Sequence, residues 1–292
     1  MAAFRDEVGD AGMVCVRGGG TRWMVGAVPG DPGNIRHVSA PVGIESIEPA
    51  EMTVVVGAGT AVADLASALA EHGQEVALDG PVGATVGGTL MVGRDPLRRG
   101  RLGEIADVLL QADCVGADGQ VFTAGGPTVK NVTGFDLCRL LVGSLGTLAL
   151  VGRVILRTRP VPEAWAWMAG ETPTRVVMDA LYRPAAVLWD GVRTTVRIEG
   201  SGADVADEIR RLEALGLIVA DEPVLPAGWD RWSGTLPDGG VRALGAGVVH
   251  RPGPVEAPEV SAGVRDLGAR MRGAFDPSRR LNPGRDPHHV KA

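Results

Sequence analysis

Apolar residues in the first half of the chain come in short runs that break at glycine, the pattern of strands separated by tight turns. Met13–Val16 runs into Gly18-Gly19-Gly20, and Ile35–Val38, Ile44–Glu48 and the β-branched Thr53–Val56 read as further strands. Gly57-Ala58-Gly59 then leads into a helical pattern in which Val62, Leu65, Ala66, Leu69 and Ala70 share one face. Thr60 is the expected N-cap, Gly73 the expected glycine past the helix end, and Gln74–Leu78 the next strand. Val108–Val115 and Gln120–Thr123 predict a hairpin about Ala117-Asp118-Gly119. Asp136–Val142 predicts a short helix and Gly152–Thr158 a strand.

Pro160-Val161-Pro162 marks a domain boundary, because proline ends both strands and helices. Beyond it glycine motifs thin out, and five of the six tryptophans appear: Trp165, Trp167, Trp189, Trp229 and Trp232. Helices are expected near 174–182, 203–216 and 259–272, and strands near 186–189, 194–198 and 241–249. A Pro-rich, basic tail follows from Asp276. The class is α+β, with boundaries at 1–160, 161–274 and 275–292.

Composition narrows the functions. Of 292 residues 45% are hydrophobic, enough for a sizeable core, and 43 are glycine, about twice ordinary usage. A net charge of −6 argues against a general nucleic-acid binder, which needs basic stripes. The cluster Arg94, Arg98, Arg99 and Arg101 reads equally well as a solvated loop. Cys15, Cys114 and Cys138 are too far apart in sequence for a CxxC pair, which argues against an iron–sulfur or zinc site in this chain. Met1–Gly12 has no apolar leader core, and Leu140–Gly152 is too short and interrupted to span a bilayer.

Three segments carry candidate chemistry. In Arg17-Gly18-Gly19-Gly20-Thr21, glycine lets successive N–H groups converge on an anion such as pyrophosphate, although a plain turn after a strand explains the triplet as well. In Gly83-Ala84-Thr85-Val86-Gly87-Gly88-Thr89, small residues leave room for a flat ring and its phosphates, or simply form a glycine-rich loop. In Lys130–Leu137 and Leu140–Thr147, glycines recur beside polar groups within apolar surroundings. Val54–Gly59 imitates the GxGxxG dinucleotide fingerprint, but Val62 occupies the third glycine position, and a tight strand-to-helix turn accounts for it.

Taken in order, RGGGT, VVVGAGTAVADLASALAEHG, GATVGGT, RLGEIAD and KNVTGFDLCRLLVGSLGTLALV resemble the FAD-binding domain of the vanillyl-alcohol oxidase / p-cresol methylhydroxylase (PCMH-type) superfamily. Lys130–Val151 most resembles the glycolate oxidase FAD-binding subunit, the smaller flavin subunit of a three-part enzyme. Phe275-Asp276-Pro277 through Leu281-Asn282-Pro283-Gly284-Arg285 resembles the family's C-terminal segment. The resemblance implies two α+β subdomains holding FAD, then a smaller α+β cap and a tail returning to the flavin. It implies cofactor contacts from Arg17, Gly18, Gly19, Gly20, Thr21, Ala84, Thr85, Gly87, Gly88, Thr89, Gly134, Asp136, Gly143, Gly146, Thr147, Asn282 and Arg285.

The five histidines, at 37, 72, 250, 288 and 289, leave none between residues 73 and 249. A flavin tethered through a histidine in that region, as in some relatives, is therefore not expected, and FAD is expected to bind non-covalently. The His-rich metal motif of relatives that oxidise D-2-hydroxy acids is also missing, so no metal is expected. His250 stands alone in the cap, and no catalytic base can be named, though Arg193, Arg197, Arg242 and Arg251 could hold a carboxylate. The resemblance thus implies a subunit of a 2-hydroxy-acid (glycolate-type) dehydrogenase whose substrate chemistry falls chiefly on a larger FAD subunit, with electrons passing to an iron–sulfur subunit. The place expected is the cytoplasm, or the inner face of the membrane through those partners. A self-sufficient flavin oxidoreductase and a non-catalytic assembly subunit remain alternatives.

Overall fold

The computed structural model describes residues 1–27, 32–127, 136–253 and 260–288. In chain order it contains α1 (Ala2–Val8), β1 (Met13–Val16), β2 (Ile35–Val38), β3 (Ile44–Glu48), β4 (Thr53–Gly57), α2 (Val62–Ala70), β5 (Gln74–Glu75) and α3 (Val86–Val92). Next come α4 (Arg99–Leu102), β6 (Leu109–Val115), β7 (Val121–Gly125), α5 (Leu137–Leu141), β8 (Leu150–Arg157) and β9 (Arg159–Pro160). The remainder is β10 (Ala164–Gly170), α6 (Thr174–Ala180), β11 (Ala186–Trp189), β12 (Thr194–Gly200), α7 (Gly202–Ala214), β13 (Ile218–Ala220), β14 (Gly228–Arg231), β15 (Val241–Leu244), β16 (Val248–Arg251) and α8 (Ala262–Phe275). The class is α+β, as the sequence implies.

Contacts divide the chain into two units: Met1–Arg94 with Glu104–Arg159 and Glu256–Lys291, and Asp95–Gly103 with Pro160–Val255. This division differs from the sequence boundaries in two places. The arginine-rich Asp95–Gly103 belongs with the second unit, and α8 belongs with the first.

The first unit holds two sheets. β1 and β2 pair in parallel, and Leu281 adds a parallel bridge beside Val14. The other sheet has the order β3-β4-β8-β6-β7 and is antiparallel throughout. Because β4 lies between antiparallel β3 and β8, the turn at Gly57-Ala58-Gly59 opens no parallel βαβ unit and is not a dinucleotide fingerprint. Its glycines serve close packing: a Cβ on Gly57 would lie 2.3 Å from the Pro41 carbonyl oxygen. The α2 stripe buries Leu65 and Leu69 completely. Thr60 does not cap α2. Its hydroxyl is buried and accepts from Gly43 N–H at 2.9 Å, leaving Ala61 at the N-cap without a side-chain bond. Gly73 does take the left-handed conformation, φ 64°.

Residues 276–285 clasp this unit. Asp276 is fully buried, and its carboxylate accepts from the N–H groups of Arg280 and Leu281 at 3.0 and 2.9 Å. The Arg280 guanidinium directs its N–H groups to the carbonyls of Val8, Gly9, Ala11, Gly12 and Ala117. Five donors meeting five acceptors satisfy a buried cation without a carboxylate contact.

In the second unit an antiparallel sheet runs β13-β10-β12-β11-β15-β16-β14. α6 and α7 cover one face over Met168, Val177, Val187, Val196, Ile198 and Leu212. The other face buries Trp167, Ala186, Leu188 and Ala243, with Leu97 packed against them. Arg98 is not a solvated loop residue: its guanidinium grips Glu199 through two bonds of 2.8 Å, and Arg197 meets the same carboxylate at 3.2 Å. The expected strand at 241–249 is a hairpin, β15 and β16, broken where Gly245 and Gly247 adopt positive φ.

Candidate functional site

A cleft of about 890 Å³, counting its open mouth, lies within the first unit. Two glycine segments form its walls. Gly18–Thr21 leaves β1, and Ala84–Thr89 leads into α3, where Thr85 accepts from Gly88 N–H at 3.2 Å as N-cap. The walls approach so closely that a Cβ on Gly19 would lie 1.8 Å from the Gly83 carbonyl oxygen, and one on Gly18 2.3 Å from Thr85 Oγ1. Only glycine permits both approaches.

The remaining wall comes from distant sequence. Asn282 Oδ1 accepts from Val16 N–H at 3.0 Å, and its Nδ2 donates to the Leu145 carbonyl at 2.7 Å. Arg285 donates to the carbonyls of Trp23, Val25 and Ala27, the Val25 bond measuring 2.7 Å. Its guanidinium also lies 4.3 Å from the Trp23 ring centre, while Arg17 stands 5.0 Å from that ring. Burial lowers the Arg285 pKa from its ordinary value, with nearby Cys15 partly opposing.

Of the residues expected from sequence, Gly18, Gly19, Gly20, Thr21, Ala84, Thr85, Gly87, Gly88, Thr89, Gly146, Asn282 and Arg285 line this one cleft. Four others are placed elsewhere. Arg17 is engaged with Trp23. Asp136 is exposed, caps α5 by accepting from Arg139 N–H at 3.0 Å, and pairs with that side chain. Gly143 donates its N–H to the Leu90 carbonyl at 3.0 Å and abuts Gly93. Thr147 donates its hydroxyl to the Ser144 carbonyl at 2.8 Å, within its own turn. Gly134, with the rest of the 128–135 segment, lies outside the described residues.

Sequence reasoning missed Arg22, Trp23, Val25, Ala40, Ala58, Gly59 and Met91 on the wall. Arg22 and Trp23 directly follow the RGGGT motif, and that adjacency was the available signal. Ala58 and Gly59 belong to the dismissed GAG turn; it lines the cleft as small packing residues.

The wall suits a polar ligand. Arg22 Nη1 and Thr89 Oγ1 are buried without a hydrogen-bond partner, a state that proteins largely avoid unless a ligand or water completes the site. Glycine surfaces open to backbone N–H groups suit phosphates, and Val16, Val25, Met91, Val92 and Leu150 offer apolar contact to a flat ring.

The FAD binding domain family model matches residues 11–125. A D-lactate dehydrogenase of Archaeoglobus fulgidus is 33% identical over 162 residues, covering 55% of this chain and 36% of that protein. Glycolate oxidase subunit GlcE of Escherichia coli is 32% identical over 125 residues, 42% of this chain and 36% of that one. Glycolate oxidase subunit GlcD of Bacillus subtilis is 31% identical over 153 residues, 50% and 32% respectively. The matched region thus spans about a third of the length of each of these relatives. An alkyldihydroxyacetonephosphate synthase structure superposes with a TM-score of 0.66 at 13% identity, over 93% of this chain and 71% of that one, a likeness of fold. Motif order and fold agree with these likenesses: residues 11–125 match the FAD binding domain family, and the cofactor is FAD.

Proposed function

We propose that this chain is the non-covalent FAD-binding subunit of a 2-hydroxy-acid dehydrogenase of the glycolate-oxidising type. The cleft built by Gly18–Thr21, Ala84–Thr89 and Asn282 is the observation that carries the reading. Backbone N–H groups at Gly18–Gly20 would take the diphosphate, and Thr85, Gly87, Gly88 and Thr89 would lie along the ring. Asn282 would hold the two walls in register. Bound FAD would supply a two-electron acceptor for hydride. No histidine or cysteine is among the described residues lining the cleft, which supports a cofactor held without a covalent bond.

Assembly with a larger FAD subunit and an iron–sulfur subunit is part of the proposal, as is a place on the cytoplasmic side, at the membrane only through them. Likeness to the glycolate oxidase subunits supports it. His250 is buried in β16, and among the described residues no cluster of three or more His, Cys, Asp or Glu could hold a metal. Among the described residues no helix is long and apolar enough to cross a membrane.

The test is a visible spectrum of the purified chain before and after acid precipitation, then anaerobic glycolate and D-lactate. Yellow protein that releases FAD into the supernatant and is bleached by neither acid supports the subunit reading. Bleaching by either acid alone assigns the chemistry to this chain. Colourless protein that cannot be reconstituted removes the flavin reading.

A further inference from the structure

We infer that the groove between α8 and the 140–148 segment is a docking site for an acidic amphipathic helix of a partner subunit. The inference rests on the assembly proposed above and gives it a place on this chain.

Shape points to a helix. α8 runs for 14 residues, about 21 Å, yet buries none of them. Val264, Leu267, Met271 and Phe275 recur at intervals of three and four residues and form one stripe. Val264 and Leu267 are 46% and 49% exposed. Such a stripe is the ridge against which a second helix packs. Beside it, Met271 and Ala269 line a concave space of about 1200 Å³, counting its open mouth, together with Leu140, Val142 and Leu148. This groove shares only Arg285 with the lining of the flavin cleft.

Charge selects the occupant. α8 carries three arginines and one aspartate in a chain of net charge −6. Arg265, Arg272 and Arg279 line the groove with Asp286 and His288. Arg272 Nη1 and Nη2 donate to the carbonyls of Arg285 and Leu281 at 3.0 and 3.2 Å, while its Nε is buried with no hydrogen-bond partner. Burial lowers the Arg272 pKa and the like charge of Arg279 lowers it further, with Asp276 and Asp286 opposing. Carboxylates flanking an apolar stripe would complement this wall. A second copy of the chain fits worse, because α8 against α8 sets arginine against arginine. The acidic helices α1, α2 and α7 already bury Phe4, Val8, Leu65, Leu69, Val205 and Leu212 in their own core. A bilayer also fits worse: it does not fill a concave groove, and α8 has no tryptophan or tyrosine to seat at a lipid interface.

The experiment co-expresses the full chain with the larger FAD subunit of the same source. Separately, it titrates the chain with a labelled heptad-repeat peptide bearing leucine on one face and glutamate beside it. The variants are Leu267→Asp and Arg265→Glu, both at exposed positions of α8, with Arg175→Glu on α6 as the control. FAD affinity and melting temperature should stay unchanged in all three. Each α8 variant is expected to bind the peptide about tenfold more weakly, and added salt should weaken wild type. Release of the larger subunit by the α8 variants, but not by the control, supports the docking site. Retention of that subunit by both α8 variants overturns the site and leaves the assembly standing. A wild type that takes the peptide but not the larger subunit removes the assembly reading and keeps the groove as a helix site. One that takes neither removes both. A wild-type dimer split by Leu267→Asp in light scattering makes the occupant a second copy. Cosedimentation with phosphatidylglycerol vesicles that both α8 variants lose makes it a membrane. Either result overturns the inference.

Discussion

The side-chain amide of Asn282 reaches the Leu145 carbonyl at 2.7 Å, tying together positions 137 residues apart. The same amide accepts from Val16 N–H, so one side chain joins β1 to the loop before β8 beside the cleft. Asn282 sits at φ 40°, a left-handed conformation that asparagine tolerates better than most residues.

Asn282→Ala should cost about 1–3 kcal/mol, because it leaves the part-buried Val16 N–H and the buried Leu145 carbonyl unpaired. Gly146→Ala should act on the same joint, since its Cβ would lie 2.3 Å from Asn282 Nδ2. Urea unfolding of the FAD-free protein checks the cost. Titration with FAD should show weaker binding in both variants, and unaltered values for either would separate the joint from the cleft.

Gly19→Ala is expected to abolish or severely weaken FAD binding, because its Cβ would drive into the Gly83 carbonyl and force the two walls apart. Equilibrium dialysis against FAD measures this, and circular dichroism should show that the overall secondary structure persists.

Arg98→Ala should destabilise the second unit by about 3 kcal/mol, since the partly abandoned Glu199 carboxylate is 7% exposed. Arg197 still contacts Glu199 and keeps the loss below that of an isolated buried charge. Thermal unfolding of Arg98→Ala, compared with Arg98→Ala/Glu199→Gln, should show the double variant recovering part of the loss.

Alkaline stability should depend on the thiols. Burial raises the Cys138 pKa from 9.0 to about 11, and Cys114 rises further. Below about pH 9 both thiols are protonated folded or unfolded, so they add no pH dependence. Between about pH 9 and 11 only the unfolded chain releases the Cys138 proton, and stability falls by about 1–3 kcal/mol. Urea midpoints across this range should decline less steeply in Cys138→Ala than in wild type.

Local chemistry explains which features were legible from sequence. The hairpin of β6 and β7 and the break at Pro160 rest on turn and proline geometry, which neighbouring residues determine. Both glycine walls were visible because close approach requires glycine at fixed positions. α3 was not, because Gly87 and Gly88 are poor helix formers held there by the Thr85 cap and by packing, a Cβ on Gly87 meeting Ala58 at 2.9 Å. Capping of α2 was misassigned because the Thr60 hydroxyl is drawn to Gly43, a contact that sequence spacing does not encode.

The clasp from Asp276 to Arg285 also constrains the order of assembly. Val16 and Asn282 are 266 positions apart, so the cleft wall is the product of a very long loop closure. During synthesis the nest beside Val16 leaves the ribosome long before its closing residue exists. The early chain must therefore wait with Arg280's five carbonyl partners unmet. Tight cofactor capture accordingly waits until the clasp has been made, and a ribosome-stalled chain lacking the clasp should hold FAD poorly.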